Sequence, residues 1–488
     1  MQRVNIIGSG FSGLSAAAYL AKAGFEVHVY EKNEQLGGRA AKFETHGFTF
    51  DMGPSWYWMP DVFERFYQDF GHTASDFYDL KRLDPSYRVF WDQDHWDIPA
   101  NFNDFKALLD AEESGAGKKL DQFLKEAKFK YEAGMKDFVF RPSHNWLEYI
   151  NWQTISAATR LDMFTSIRGH LKKFFKHPKL MQLMEFPVLF LGAKPDKTPA
   201  LYSLMNYADI VLGTWYPMGG MNEIVQAFVK IGESLGVQYH VNSPVAGIRP
   251  NGSGHYLQIK GYEIHSDFVV AAADYHHVEQ KLLQPEQRNY RNENYWPSRT
   301  MAPTSLLFYV GVDKKIPGLK HHNLFFDAPF DQHATEIYDT HEWPKHPLFY
   351  VCNPSKTDPS VAPEGKENLF FLMPLSSELE DTEEKRAYYF DLMMDRLEAR
   401  TETNIRDAIS YKKSFAKQDF MDRYHSYRGN AYGLANTLKQ TGAWKPKLKN
   451  RHLKNFYYAG QLTVPGPGVP PSIISGNIVA NEIIRTKD

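Results

Sequence analysis

Val4-Asn5-Ile6-Ile7-Gly8-Ser9-Gly10-Phe11-Ser12-Gly13 carries an apolar strand into three spaced glycines, and an Ala-rich helical stretch from Leu14 to Ala23 follows. Bare backbone N–H groups and the positive end of the helix would meet a pyrophosphate there, which a β-carbon at Gly8 or Gly10 would obstruct. Gly13 lets the helix lie close on the strand. A second apolar strand, Val27-His28-Val29-Tyr30, ends at Glu31-Lys32. A carboxylate at that point accepts hydrogen bonds from both ribose hydroxyls of an adenosine and repels a 2′-phosphate, so NADP is disfavoured. Strand, glycines, helix, the Gly24 turn, strand and acid, in that order, predict a dinucleotide-binding βαβ unit.

Beyond Glu31 the chain reads Gly37-Gly38-Arg39, then the strand-like Phe48-Thr49-Phe50, then Asp51-Met52-Gly53-Pro54-Ser55. A simple nicotinamide dehydrogenase has no use for this segment. Paired glycines admit a second ligand portion, and Arg39 can reach a phosphate. FAD is therefore the expected cofactor. Near the C-terminus, Phe456-Tyr457-Tyr458-Ala459-Gly460 reads as a further strand of the nucleotide-binding sheet. Thr463, Pro465-Gly466-Pro467-Gly468 and Pro470-Pro471 then lead into a helix from Ser472-Ile473. Prolines there preset the first turn, and the helix N-terminus is expected at the flavin pyrimidine edge, where reduction places negative charge.

The sequence of 488 residues, 43% hydrophobic and 15% aromatic, is long enough for two or three cored domains. A formal charge of −2 gives no general attraction to nucleic acid. The single cysteine, Cys352, excludes an intrachain disulfide framework and suits a reducing cytoplasm. The histidines show no metal-ligand spacing such as HExxH, there is no GxSxG elbow, and no metal site is expected. No segment approaches eighteen uninterrupted apolar residues.

The expected fold is α/β: a Rossmann-like FAD domain with a mixed-sheet substrate domain and a helical insert. The FAD domain is read as discontinuous, from residues 1–80, 215–284 and 429–488. Its second piece holds a helix (Ile224, Phe228, Ile231) ended by Gly236, and sheet strands at Val237–Val241, Val245–Ile248 and Asp267–Asp274. Residues 81–101 and 285–428, with apolar runs at Tyr87–Trp91, Ser305–Val310, Phe349–Val351 and Leu369–Leu372, would floor a substrate chamber. Residues 102–214 read as helical by period.

The motifs quoted, with the central Phe190-Leu191-Gly192, Lys194-Pro195, Thr198 and Tyr202, the segment Trp215-Tyr216-Pro217-Met218-Gly219-Gly220, and Ala459-Gly460-x-x-Thr463-x-Pro465-Gly466-x-Gly468, resemble the bacterial phytoene desaturases and related carotenoid desaturases. The two ends are shared with the wider flavin amine oxidase superfamily. The resemblance implies FAD, an apolar polyene substrate and a membrane-surface location, hence a cytoplasmic protein held peripherally at the membrane. It places Val245 beside adenine. The candidate cofactor-binding residues are Gly8, Gly10, Phe11, Ser12, Gly13, Glu31, Lys32, Gly37, Gly38, Arg39, Gly53, Pro54, Ser55, Val245, Gly460, Pro470, Ser472 and Ile473. Where some relatives carry an acidic residue and a nearby arginine proposed to act on substrate, this chain reads His177-Pro178-Lys179-Leu180-Met181, and those two roles do not carry over.

The implied reaction removes a hydride equivalent to flavin N5 and a proton from the adjacent carbon, most simply on phytoene toward lycopene. A later carotenoid, an isomerase or ketolase outcome, or amine oxidation remain alternatives, and the electron acceptor, oxygen or quinone, stays open. An allylic cation loses its proton readily, so no strong base is needed and no catalytic residue is singled out; Asp51 reads as a turn former before Gly-Pro. Trp56 and Trp58 would face one way along an extended segment and Tyr57 the other, supplying aromatic wall for a polyene. From Met163, the residues Phe164, Ile167, Leu171, Phe174 and Phe175 recur at helical spacing beside Arg168, Lys172, Lys173, Lys176 and Lys179, a basic amphipathic helix expected to contact lipid.

Overall fold

The computed structural model describes residues 1–135, 139–143, 165–189 and 192–486. Its centre is a parallel sheet of five strands in the order Phe456–Tyr458, Phe268–Ala271, Arg3–Ile7, Glu26–Tyr30, Gln238–His240. Ile6 lies opposite Val29 on one side and Val270 on the other, and Val270 opposite Tyr457. All four residues of Phe268–Ala271 are buried, as a strand covered on both faces requires. The helix Phe11–Lys22 makes the crossover between the first two strands. Helices Asn222–Ser234 and Val469–Ile484 both pack against it.

One strand prediction is corrected. Val245–Asn251 leaves the parallel sheet and heads a separate three-stranded antiparallel sheet with Gly254–Ile259 and Tyr262–Ser266. Its burial is one-sided, with Val245 and Ile248 inside and Ala246 and Arg249 exposed, the register shifting between Val245 and Gly247. A strand so half-solvated cannot sit in a sheet covered on both faces.

A seven-stranded mixed sheet forms the second layer, in the order Ile409–Phe415, Thr304–Val312, Glu367–Leu375, Phe349–Cys352, His322–Phe325, Tyr87–Phe90, His95–Ile98. His322–Phe325 and Tyr87–Phe90 run parallel, and the other neighbouring pairs antiparallel. The two-residue period decides what each face does. Leu306, Phe308 and Val310 turn to a core under the helix Glu383–Thr401, where the Phe308 and Phe390 rings are 4.9 Å apart. Ser305 and Leu307, with Tyr350, Phe370 and Leu372 from neighbouring strands, face the other way, onto a cavity.

Residues 102–214 contribute helices at Phe102–Glu112, Ala116–Ala133, Ile167–Leu171 and Pro178–Leu189 and shorter turns to Leu212. The lipid-facing helix is corrected. The helix runs one turn and ends at Leu171. Ile167, Leu171, Phe174 and Phe175 are all buried, the last two rings 5.5 and 6.1 Å from that of Phe123. Arg168 forks onto Glu185 at 2.7 Å and reaches Asp331, and Lys179 pairs with Asp94. Lys172, Lys173 and Lys176 are exposed. A helical stripe has the same period whether it meets lipid or a neighbouring helix, and here the neighbour is Ala116–Ala133. Met163, Phe164, Phe190 and Leu191 lie outside the described residues. Among those described, no helix is long and apolar enough to cross a membrane.

Candidate active site

A cavity of about 790 Å³ opens at the carboxyl ends of the parallel strands, where Ile7, Tyr30 and Ala272 reach its wall. Gly10 and Gly466, from opposite ends of the chain, both line it. Of the candidate residues, all but Gly13 and Ile473 lie on the wall. Gly13 sits behind it: a β-carbon there would overlap the carbonyl oxygen of Gly8 and stand 3.2 Å from the Ala272 β-carbon. Ile473 is packed beside Phe11 and Leu14, and its carbonyl accepts the Ser15 hydroxyl at 2.8 Å.

Around Gly10 the space is open, since a β-carbon would find nothing within 4 Å. Gly8 takes φ +99°, a conformation that favours glycine. The Glu31 carboxylate is buried and accepts four hydrogen bonds: from Ser9 N at 3.0 Å, Ser9 Oγ at 2.7 Å, and Asn33 N and Nδ2 at 2.9 Å each. It therefore ties the glycine turn to the end of the second strand. The Lys32 ammonium points away and donates to the carbonyl of Asp422. Arg39 donates from Nη2 to Ser426 Oγ at 3.0 Å and to the Asn430 carbonyl at 3.4 Å, while its Nε has no hydrogen-bond partner among the described residues. Burial pushes the Arg39 pKa down, against the pull of Tyr424 and Asp274.

Asp51 does not reach this cavity. Its oxygens accept from Met221 N at 2.7 Å and Asn222 N at 3.1 Å, so it caps the helix Asn222–Ser234 from a distant strand. Burial raises its pKa to about 6, and the two backbone bonds oppose that rise.

The rest of the cavity is greasy. Trp56 and Trp58, with ring centroids 5.1 Å apart, both line it, while Tyr57 packs on Phe63 away from it. Met59, Leu204, Met205, Leu307, Phe370 and Leu372 extend the wall. Trp58 is held from behind: its Nε1 donates to Thr214 Oγ1 at 2.8 Å, which donates to Asp209 Oδ1 at 3.2 Å, and Tyr87 donates to the other Asp209 oxygen at 2.9 Å. Trp56 stacks on His322 at 4.0 Å, His322 Nδ1 bonds the Tyr350 hydroxyl at 2.6 Å, and Tyr350 donates to Ser55 Oγ at 3.1 Å. Burial drives the His322 pKa well down, so this imidazole is neutral. Asp209, His322, Tyr350, Asn436 and Lys445 went unnoticed in the sequence. None carries a local motif, and only folding brings Tyr350 and Asn436 to the wall and sets Asp209, His322 and Lys445 behind it.

The arrangement fits a flavin dinucleotide. The space around Gly10 accommodates a pyrophosphate, and one continuous wall then joins the Glu31 end to the Pro465–Ser472 loop. Residues 11–484 match the family model of the flavin containing amine oxidoreductases. A carotenoid 3,4-desaturase of Haloarcula japonica is 41% identical over 485 residues, covering 99% of this chain and 98% of that one. A zeta-carotene-forming phytoene desaturase of Myxococcus xanthus is 29% identical, covering 99% and 94%. Among solved structures, an oxidoreductase from Methanosarcina mazei matches with a TM-score of 0.65 at 16% identity over 98% of this chain and 100% of that one, a likeness of fold. The chain belongs to the flavin-containing amine oxidoreductase family, among its carotenoid desaturases. It is an FAD-dependent oxidoreductase.

Proposed function

We propose that this protein desaturates a carotenoid, withdrawing two hydrogens from adjacent carbons of a polyene laid between Trp56, Trp58 and the face of the mixed sheet. The observation that carries this is the single cavity joining a dinucleotide cradle to an apolar, aromatic channel. Gly8, Gly10, Phe11 and Ser12 would hold the pyrophosphate, with Gly13 packing the helix behind them, Glu31 the adenosine ribose, with Lys32 beside it on the wall, and Val245 the adenine. Gly37, Gly38, Arg39, Gly53, Pro54, Ser55, Gly460, Pro470 and Ser472 would form the cradle of the remaining phosphate, ribityl and ring, with Ile473 packed behind it. When bound, FAD supplies the two-electron acceptor.

The protein's own part is alignment and exclusion of water. Trp56 and Trp58 are fixed from behind by His322 and by Thr214–Asp209, so the polyene meets rigid walls, and rigid placement is what converts binding into rate. The proton leaves from an allylic cation, and the Tyr350–Ser55 hydroxyl pair on the wall would relay it to the neutral His322 imidazole bonded to Tyr350. The relative at 41% identity favours a double bond introduced at the 3,4 position of a later carotenoid, and the relatives named for phytoene, at 29% identity, favour the stepwise route from phytoene. Expression in bacteria that accumulate phytoene, and separately in bacteria that accumulate lycopene, with pigment analysis of each, decides between them. Unchanged pigment in both hosts, from a flavin-loaded protein, overturns phytoene and lycopene as substrates and leaves a later carotenoid.

Two further assignments belong to this proposal. Strands of the parallel sheet drawn from residues 3–30, 238–271 and 456–458 support the three-piece FAD domain. A C40 hydrocarbon must be taken from lipid, which supports a membrane-surface location, with the exposed Lys172, Lys173 and Lys176 available to lipid phosphates. Sedimentation with anionic vesicles that does not respond to salt or to lipid composition would remove that support.

A further inference from the structure

Lys445 is only 2% exposed, and its ammonium has no hydrogen-bond or ion-pair partner among the described residues. It follows the short turn Gly442–Trp444, whose Trp444 is 67% exposed, so the chain turns one large side chain outward and the next inward. Lys445 Cε and Nζ each lie 3.5 Å from the point where a β-carbon on Gly466 would stand, and Asn436 Oδ1 lies at the same distance. That amide oxygen is also buried with no partner among the described residues. Gly466 and Asn436 both line the cavity. A cation and a polar oxygen thus flank one spot on its wall, both unsatisfied.

Keeping an ammonium in such a place is costly, and an apolar side chain of similar volume would do better if nothing faced it. No carboxylate among the described residues compensates, and burial pushes the Lys445 pKa down to about 7. The helix Val469–Ile484 begins just beyond Gly466 and aims its positive end at the same wall, but Pro470 and Pro471 remove two of its first-turn N–H groups and Ser472 N is spent on the Gly468 carbonyl at 3.0 Å. The helix end therefore has field but few donors. The pyrophosphate is accounted for by the other helix, at Gly10. What remains for this wall is the other electronegative part of the cofactor.

We propose that Lys445, set behind Gly466, is the cation that faces the pyrimidine edge of the bound isoalloxazine and stabilises the negative charge the ring carries when reduced, with the Asn436 Oδ1 beside it placed to accept from the ring's own N–H. This rests on the reading of the cavity as the flavin site. Lys445 is then a residue that sets the driving force of the reaction, and it supplies the donor that the two prolines take from the helix.

The test compares wild type, Lys445→Met, Lys445→Gln and Lys445→Arg as flavin-loaded proteins, by FAD content and by the two-electron midpoint potential measured against reference dyes at one pH. Lys445→Met and Lys445→Gln are expected to make reduction at least tenfold less favourable, about 30 mV more negative, with Lys445→Arg within threefold of wild type. Stripped of flavin, Lys445→Met should melt no lower than stripped wild type, because an unpaired buried charge has gone; a merely structural lysine would lower it. Loss of FAD from both neutral variants but not from Lys445→Arg also supports a requirement for charge. Flavin-loaded neutral variants with the wild-type potential, or loss of FAD from all three variants, overturn the proposal. A wild type that binds no FAD overturns instead the flavin reading beneath it.

Discussion

Gly476 sits so close to Ser12 that a β-carbon on it would overlap the Ser12 carbonyl oxygen and stand 2.8 Å from the Ser15 β-carbon and 2.9 Å from Ala16 N. This contact joins the last helix of the chain to the first, and it brings the Gly460–Ser472 loop over the cavity that Gly8 and Gly10 open. Gly476→Ala is therefore expected to push the two helices apart, at about 1–3 kcal/mol for overpacking a close contact. The check is thermal unfolding together with FAD content after gel filtration. A variant that melts and holds flavin as wild type does would mean that the crossing has slack.

Glu31 organises the cradle through four accepted hydrogen bonds. Glu31→Gln keeps the shape but turns an amide NH₂ toward donors, leaving two of them unpaired at about 1–3 kcal/mol. FAD release on dilution, followed by flavin fluorescence, should show a Kd raised roughly ten- to a hundredfold.

Asp51 caps a helix and does not touch the cavity, so Asp51→Asn should keep turnover within a few fold. A general base would lose about 10²–10⁴. Asp51→Ala, which removes both bonds to Met221 N and Asn222 N, should cost about 0.5–2 kcal/mol of stability with little effect on the rate of the protein that remains folded.

Asp209, whose pKa burial raises to about 7 against the hydrogen bonds of Tyr87 and Thr214, holds its proton more tightly folded than unfolded. Its contribution to stability is thus full at pH values below the unfolded carboxylate range near 4, and it is lost progressively as pH rises toward 7. Asp209→Asn should melt close to wild type at pH 4 and above it at pH 8, the gap widening between. Melting curves of the two proteins from pH 4 to 8 check this, and parallel curves would show that Asp209 is ionised in the fold at low pH.

Local patterns made much of this protein legible. Val4–Gly13, Glu31 and Phe456–Gly460 needed only strand period, glycine spacing and one acid to announce a parallel sheet with a dinucleotide at its carboxyl end, and Trp56-Tyr57-Trp58 needed only the two-residue alternation to sort wall from core. The same logic failed where two environments share one period. Ile167, Leu171, Phe174 and Phe175 show a stripe that lipid and the helix Ala116–Ala133 satisfy equally well, and Val245–Ile248 is apolar enough for either sheet.

The chain by itself determined the cofactor class, the order of strand and helix at each end, and the apolar character of the substrate wall, because these follow from short-range backbone geometry and side-chain period. Tertiary structure alone decided which stripe is covered, that Asp51 caps a helix, and that Asp209 stands behind Trp58 and Lys445 behind Gly466. Those outcomes depend on what lies on the far side of a side chain, and its partner there is set by packing between segments hundreds of residues apart.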